Sequence, residues 1–236
     1  MTNTVEIHNL TKKYGRKTAL DNLNLNLEEG TVTGLFGPNG SGKTSLIKIL
    51  SGLTRKYKGS VFIQGEKPGT ETKSFVSYLP DINFLENQNN IKDTLKLFNY
   101  FYSDFSLEKA KKLLEEMQLE EKMKISALSK GMEEKLNLAL ILSRNAKLFI
   151  LDEPIAGVDP VAREQILSAV ISNIDPESTM LVTTHIIREM EGIFDRIVFI
   201  NEGKIILDGN AEDLRIERKA SIDEIYRKEF GGQENE

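Results

Sequence analysis

Eight consecutive residues have the types and spacing of a phosphate-binding loop. Residues 37–44 form the sequence Gly-Pro-Asn-Gly-Ser-Gly-Lys-Thr, which fits G-x-x-x-x-G-K-[ST]. Glycine lacks a Cβ, so successive backbone N–H groups can turn toward an anion. The Lys43 ammonium would reach the β- and γ-phosphates, and the Thr44 hydroxyl would ligate Mg²⁺. The predicted cradle comprises Gly37, Pro38, Asn39, Gly40, Ser41, Gly42, Lys43 and Thr44.

A second segment supplies two adjacent carboxylates. The apolar run 148–151 ends in Asp152 and Glu153, directly before Pro154. Such a run is typical of a buried parallel strand, and ligands of open α/β sheets bind at the carboxyl edge. Asp152 would hold Mg²⁺ through its water shell, and Glu153 would orient or deprotonate an attacking water. The structural alternative is a helix cap before Pro154.

The elements that position both segments alternate between strands and helices. Apolar patterning predicts strands at 5–10, 23–27, 31–36, 60–63, 75–79, 148–151, 179–183, 197–200 and 204–207. It predicts helices at 44–50, 91–102, 106–117 and 129–142, after Pro160 and after His185. The phosphate loop therefore lies between a strand and a helix, a placement that disfavours a merely flexible turn.

The predicted organisation is a single domain with subdomains. Residues 1–80 and 147–216 would form a mainly parallel α/β core with a β subdomain. A helical insertion would occupy about 82–143, because three helical segments follow one another there without a strand. Residues 217–236 would form a C-terminal helix and tail, and the composition of 231–236 is typical of disorder.

Composition excludes several classes of protein. The chain has 31 basic and 36 acidic residues, a formal charge of -5, so no global positive field recruits nucleic acid. It has no cysteine, which excludes disulfides and thiolate metal sites. The N-terminus lacks a signal-peptide pattern, and the apolar runs are far shorter than the roughly 20 residues that span a bilayer. We expect a cytoplasmic location, with any membrane spanned by a partner.

Residues 128–132, Leu-Ser-Lys-Gly-Met, resemble the LSGGQ signature of ABC ATPases. The phosphate loop, this signature and the Asp-Glu pair follow one another in the family's order, and the resemblance covers nearly the whole chain. It implies an α/β P-loop NTPase fold with a mainly parallel core sheet, an N-terminal antiparallel β subdomain and an inserted α-helical subdomain. It also implies an ATPase subunit that uses ATP and Mg²⁺ to power a transporter.

The resemblance further implies a head-to-tail dimer of two ATPase subunits. Ser129 would open a helix whose free N–H groups and positive dipole hold the γ-phosphate of ATP bound to the other subunit. Lys130 and Gly131 would complete that contact. Asp159, in the segment 156–159, matches the family's dimer-contact loop.

Two further residues take roles from the family. His185 matches the switch histidine, which would contact the γ-phosphate and help to hold the water and Glu153 in place. Tyr14 matches the aromatic that stacks on adenine, although a tyrosine packed in a surface turn is the alternative. The only other histidine, His8, is expected to have no role in the site.

The chain departs from the family pattern at three positions. The loop 78–81 is Tyr-Leu-Pro-Asp, so Asp81 replaces the usual glutamine. Asp81 could ligate Mg²⁺ as a hard oxygen donor, or it could point away from the triphosphate. Lys130 and Met132 replace a glycine and a glutamine in the signature. These departures resemble a subgroup paired with ABC-2-type membrane proteins, mostly exporters, including exporters of antimicrobial or toxic peptides.

Six aromatic residues cluster between positions 84 and 105. By family analogy this insertion faces the membrane partner, so the aromatics would line a groove for that partner. Alternatively they would form the insertion's own small core. Helical spacing pairs Phe101 with Leu97 and predicts that Phe101 is the buried member.

Three other functions compete with a transporter ATPase. A soluble ABC ATPase of DNA repair or translation would need coiled-coil arms or two cassettes, which 236 residues do not accommodate. A GTPase or small-molecule kinase would lack the signature, and the chain has no Asn-Lys-x-Asp guanine motif. A regulatory cassette without turnover is disfavoured because Lys43, Thr44, Asp152, Glu153 and His185 are all present.

Overall fold

Two β-sheets and eight α-helices account for most of the described chain. The computed structural model describes residues 2–82, 84–85, 89–156, 158–173 and 175–231. The strands are β1 (Asn3–Tyr14), β2 (Lys17–Glu28), β3 (Val32–Phe36), β4 (Lys58–Ile63), β5 (Val76–Leu79), β6 (Leu148–Asp152), β7 (Thr179–Thr183), β8 (Arg196–Asn201) and β9 (Lys204–Asn210). The helices are α1 (Lys43–Leu50), α2 (Ile91–Phe101), α3 (Leu107–Glu116), α4 (Lys130–Leu142), α5 (Pro160–Asn173), α6 (Ile187–Met190), α7 (Ala211–Arg218) and α8 (Ile222–Phe230).

The N-terminal strands form an antiparallel sheet in the order β2-β1-β4. Their cross-strand partners include Ile7 with Leu25 and Ile7 with Val61. The alternation predicted in β2 is confirmed, because Leu23, Leu25 and Leu27 are buried while Asn24 is exposed. One face of this sheet therefore packs on the core, and the other meets water.

The second sheet has the order β5-β6-β7-β3-β8-β9. Its first five strands are parallel, and only β9 runs antiparallel, beside β8. Residues 148–151 of β6 are buried, as the continuous apolar run predicts for a strand covered on both faces. The carboxyl ends of β3, β6 and β7 meet at one edge, which brings the phosphate loop and the Asp-Glu pair together.

Three consecutive helices, α2 to α4, follow β5 without a strand of the sheets between them in the described residues. Each has a side-chain cap at its N-terminus: Asn90, Ser106 and Ser129 accept hydrogen bonds from backbone N–H groups three residues later. The predicted helix start at Ser129 is therefore confirmed. The predicted boundaries of the insertion and of the C-terminal segment stay predictions, and residues 232–236 of the predicted disordered tail lie outside the described residues.

The prediction that Phe101 is buried is wrong. Phe98 is 9 % exposed, whereas Phe101 is 67 % exposed. The buried face of α2 contains Ile91, Thr94, Leu95 and Phe98, and Leu97 and Phe101 lie on the adjacent stripe. The spacing that places Phe101 with Leu97 was correct, but that stripe borders a cavity rather than the core.

The helix predicted after His185 is short. It comprises the four residues of α6 and a 3₁₀ turn at Glu191–Ile193. Across the described residues, no helix combines the length and the apolar composition that crossing a membrane requires.

Candidate functional site

The predicted phosphate loop connects β3 to α1 and is held by its own backbone and by the loop after β8. The Lys43 ammonium donates to the carbonyl oxygens of Gly37 at 2.5 Å and Pro38 at 3.2 Å. The Ser41 carbonyl accepts from the Gly203 N–H at 2.8 Å. Burial lowers the pKa of Lys43, and the charges of Glu153 and Asp152 oppose that shift. The ammonium therefore lies folded back on the loop, beside both acids.

Glycine is required at two positions of this loop. A Cβ on Gly37 would lie 2.1 Å from the Ile200 carbonyl oxygen. Gly42 has a φ of +121°, and a Cβ there would lie 2.6 Å from the Ala19 carbonyl oxygen. Glycine is therefore needed at these positions because the loop packs closely against β2 and β8, in addition to its access to phosphate.

Asp152 is the last residue of β6 and lies opposite Thr183, the last residue of β7. The Thr183 hydroxyl donates to Asp152 Oδ1 at 2.6 Å. Burial raises the pKa of Asp152, and this hydrogen bond opposes the shift. Thr183 was not predicted from the sequence. A hydroxyl at the end of a neighbouring parallel strand could have indicated it, because the strand ends meet at the same edge of the sheet.

Glu153 turns back toward the sheet edge and meets His185. Its φ is +56°, a left-handed conformation that is uncommon for a non-glycine residue. Its carboxylate accepts from the His185 backbone N–H at 3.0 Å, and His185 Nε2 lies 3.2 Å from its other oxygen. Burial raises the pKa of Glu153, and His185 opposes that shift. The predicted base and the predicted histidine are therefore in direct contact.

One cavity of about 880 Å³ joins these groups. Its polar end is lined by Lys43, Thr44, Asp152, Glu153 and His185. Its other wall is apolar and includes Leu53, Ile82, Leu97, Phe98, Phe101 and Tyr102. The cavity is thus large and two-sided, with a charged end and an aromatic end.

Tyr14 also borders this cavity and is 48 % exposed. The Lys12 ammonium lies 4.5 Å from the centre of its ring and donates to the Lys56 carbonyl at 2.7 Å. About half of the Tyr14 side chain is therefore accessible at the edge of the cavity. Lys17 and Lys48 line the same cavity and were not predicted, since nothing in their local pattern distinguishes them from surface lysines.

Asp81 is exposed at the rim of the cavity and affects several acids. Its charge contributes to raised pKa values at Asp152 and Glu153, where burial is the larger cause. Burial, Asp152 and Asp81 together raise the pKa of Tyr78 to about 12. Burial also raises the pKa of Glu134 to about 7, with Lys130 opposing and Asp81 and Glu133 contributing. The charge of Asp81 therefore reaches Glu134 of α4, where burial remains the larger cause of the raised pKa.

The signature residues do not line this cavity. Ser129, Lys130 and Gly131 are absent from its walls as the described residues form them. A Cβ on Gly131 would lie 3.5 Å from Asp159 Oδ2, so the signature adjoins the predicted dimer-contact residue. Asp159 Oδ1 accepts from the Ala162 N–H at 3.0 Å, which caps α5. Gly157, in the same predicted loop, lies outside the described residues.

The donors at the charged end fit a magnesium ion that is shared with a nucleotide. In the described residues, no group of three or more histidine, aspartate or glutamate side chains is close enough to hold a metal alone. Mg²⁺ at phosphate-transfer sites uses one or two carboxylates and completes its coordination with phosphate and water. Asp152 and the Thr44 hydroxyl offer such a partial set of hard oxygen ligands.

Comparison with known proteins identifies the family. The family model described as ABC transporter matches residues 20–156, which include the phosphate loop, the signature and the Asp-Glu pair. The chain belongs to the ABC transporter family. The Streptococcus pyogenes lantibiotic transport ATP-binding protein SrtF is 34% identical over 210 residues, 86% of this chain and 90% of that protein. The Nod factor export ATP-binding protein I of Cupriavidus metallidurans is 32% identical over 98% of this chain and 79% of its own length.

Solved structures confirm the predicted ABC ATPase fold. A structure of the ATP-binding subunit of an ABC transporter has a TM-score of 0.85 and 27% identity, and it covers 96% of this chain and 99% of its own. An ATP-binding cassette in a dimeric post-hydrolysis state with ADP and phosphate has a TM-score of 0.77. It is 24% identical and covers 87% of this chain and 98% of its own, which supports the fold alone. This chain is therefore an ABC ATPase.

Proposed function

We propose that this ABC ATPase powers an ABC-2-type exporter by hydrolysing ATP in the charged end of the cavity. The observation that carries the proposal is the convergence of Lys43, Thr44, Asp152, Glu153 and His185 on one cavity. These groups come from three separate parts of the chain. Phosphoryl transfer to water needs a phosphate cradle, a metal site and a positioned water, and this set supplies a group for each.

Each residue has a role in the proposed reaction. The backbone of 37–42 and the Lys43 ammonium bind the phosphates, and Lys43 leaves its carbonyl partners to do so. Thr44 and Asp152 would hold Mg²⁺, and the bound ion would neutralise charge on the phosphate oxygens. Glu153 orients and deprotonates the water, and His185 holds Glu153. Tyr14 stacks on the base, and the Lys12 ammonium lies near the same ring.

Asp81 is the least constrained of the proposed metal ligands. It lies at the rim of the cavity, where its carboxylate could complete the coordination of Mg²⁺. Burial is the larger cause of the raised pKa values of Asp152 and Glu153, and the charge of Asp81 adds to both, so a cation bound beside these carboxylates would be favoured. We therefore propose Asp81 as an accessory ligand beside Thr44 and Asp152.

The complete site requires a second ATPase subunit. The N-terminus of α4, with Ser129, Lys130 and Gly131, lies outside the cavity, so we propose that a nucleotide in the cavity meets the signature of another subunit. The N-terminus of α4 suits an anion, because its free N–H groups and dipole are positive. We propose a head-to-tail dimer in which Asp159, beside Gly131, lies at the contact.

The aromatic end of the cavity is the proposed docking site for a membrane subunit. Ile82 is 71 % exposed and Phe101 67 %, and both line this end of the cavity. Tyr100 is 82 % exposed and its ring contacts that of Phe101, and large exposed apolar side chains of this kind suit an interface core. The subunit would then sit at the cytoplasmic face of the membrane. Phe98 packs beneath this surface against Phe84, Tyr102 and Phe105, so the segment is both a small core and a docking face.

Relatives favour export over a soluble or regulatory role. SrtF is named for lantibiotic transport, and another relative, the Streptomyces coeruleorubidus daunorubicin resistance ATP-binding protein DrrA3, is 30% identical over 96% of this chain and 74% of its own length. We propose a peptide cargo, supported by the similarity to SrtF.

A single-cysteine crosslinking experiment tests the coupling. The chain has no cysteine, so Phe101→Cys creates one reactive thiol at the proposed docking face. We expect a crosslink to a polytopic membrane protein in cell membranes. The control is Ile216→Cys, which is similarly exposed at 65 % but lies on α7. Equal crosslinking of both variants, or none with a membrane protein, would contradict the proposed partner.

A further inference from the structure

Arg144 is a buried arginine that none of the nucleotide-binding motifs uses. It follows α4 by two residues and is 4 % exposed. Its Nε donates to both Asp104 carboxylate oxygens, at 3.1 and 3.2 Å, and its Nη2 donates to Asp104 Oδ1 at 3.1 Å. Its Nη1 and Nη2 donate to the carbonyls of Val76 and Lys73, each at 2.7 Å. The guanidinium carbon lies 4.1 Å from the centre of the Tyr102 ring.

These contacts depend on the planar shape of the guanidinium group. A buried charge pair commonly adds no stability over well-packed apolar residues of the same volume, because both ions lose hydration. What the pair does provide is direction, since a planar fork can bind a carboxylate, two carbonyls and a ring face in one arrangement. A lysine would keep the charge but could not reproduce that arrangement. The contact is therefore specific in geometry.

Arg144 and its partners belong to three segments that lead to different parts of the proposed machinery. Asp104 and Tyr102 lie in the connection after α2, beside the exposed Phe101. Val76 begins β5, a strand of four residues that ends just before Pro80 and Asp81. Arg144 itself follows α4, which begins at the Ser129 cap. The Ser77 hydroxyl donates to the Ile141 carbonyl at 3.1 Å and joins β5 to α4 a second time.

We propose that Arg144 is a positioning residue that holds three elements in a fixed arrangement. They are the connection after α2, which adjoins the proposed docking face, the strand β5, which leads to Asp81, and the helix α4, which begins at the signature. The inference rests on the function proposed above. α4 has 13 residues and acts as a rod of about 20 Å, so a small rotation at Arg144 moves Ser129 at the far end. A displacement of the connection after α2 is passed through Asp104 and Tyr102 to β5 and α4. Arg144 touches no reacting atom and acts only through these elements.

Substitution of Arg144 by lysine tests this role against a matched control. Arg196 makes a similar double contact with Asp208, at 2.7 and 2.8 Å, and donates to the Asn26 carbonyl, but it lies away from the insertion. For Arg144→Lys we expect turnover at saturating ATP to fall about tenfold and ATP-driven dimerisation to weaken. ATP affinity should change less than about threefold, because the phosphate loop is untouched. For Arg196→Lys we expect turnover within about twofold of the parent chain. This should hold even if its melting temperature falls by as much as that of Arg144→Lys.

A double substitution separates positioning from folding. Arg144→Met with Asp104→Leu removes both charges, so neither is left buried and unpaired. We expect this variant to fold, to bind ATP and to show the same fall in turnover. Turnover at the parent level in both Arg144 variants, or equal loss in the Arg196 control, would overturn the proposal. An inactive parent chain would instead contradict the proposed ATPase function.

Discussion

His185 holds both carboxylate oxygens of Glu153, one through its backbone N–H at 3.0 Å and the other through Nε2 at 3.2 Å. The Glu153 side chain is 10% exposed and that of His185 is 55% exposed. The backbone contact fixes the carboxylate, and the imidazole, which also contacts it, is exposed enough to meet a phosphate. The pair therefore combines a fixed base with an accessible hydrogen-bond donor.

Replacing Glu153 by glutamine should strongly lower turnover while preserving nucleotide binding. The amide still accepts the His185 N–H but cannot take a proton, so we expect a loss of roughly 10² to 10⁴ in phosphate release. Because both nucleotide-binding faces remain, the variant should dimerise with ATP, measured by light scattering. Near-normal hydrolysis would remove Glu153 from its role. Glu177→Gln, an exposed acid paired with Lys147, is the control.

Replacing His185 by alanine should lower turnover and shift its pH dependence. His185 lowers the pKa of Glu153, so its removal raises that pKa, and a higher pH is then needed to ionise the base. We expect the acid limb of the kcat profile to move to higher pH. The control is His8→Ala, since His8 is exposed and adjoins only Glu6 among the ion pairs of the described chain. An unchanged limb in the His185 variant would contradict the contact.

Replacing Asp81 by glutamine should shift the same limb in the opposite direction. Asp81 contributes to the raised pKa values of Glu153 and Asp152, so its removal lowers both. Turnover of the isolated subunit should stay within about tenfold of the parent, because Asp152, Thr44 and the phosphates still hold the metal. A collapse that excess Mg²⁺ partly rescues would make Asp81 a required ligand.

Replacing Glu134 by glutamine should stabilise the chain above neutral pH. The folded pKa of Glu134 is about 7 and its ordinary value is 4.5, so the folded state binds more protons between these values. The free energy of unfolding therefore falls as pH rises through this window. At pH 8, removing the charge should raise the free energy of unfolding by about 1 kcal/mol after solvent screening, which corresponds to about 2–4 °C in Tm. At pH 4 the substitution should have little effect. Thermal melts in EDTA, with Glu115→Gln as the control, would check this.

Alanine substitutions should separate the two faces of α2. Phe98→Ala removes a buried ring and should lower the free energy of unfolding by about 3 to 5 kcal/mol. Phe101→Ala should change the stability of the free subunit little but weaken assembly with the membrane partner by more than about 1 kcal/mol. Melting curves beside co-purification yields measure both effects. A large loss of stability in the Phe101 variant would mean that this stripe packs as core.

Local rules made most of the fold predictable from the sequence. Alternation in β2 and the continuous apolar run in β6 each depend on which faces a strand buries, and both predictions hold. Ser129 was identifiable because a serine before a helix satisfies free N–H groups. Residues 37–44 were identifiable because this glycine spacing, followed by a lysine and a threonine, is typical of phosphate loops between a strand and a helix.

Tertiary structure alone decided which side chains meet. Thr183 joins Asp152 because β6 and β7 are neighbours in register, although 31 residues separate them. Phe101 is exposed because the helix turns its stripe toward a cavity, which periodicity cannot distinguish from a core. Arg144 gathers Asp104, Val76 and Lys73 across 40 to 71 positions of sequence. Patterns along a chain record local burial, whereas contacts between distant segments depend on how the elements pack.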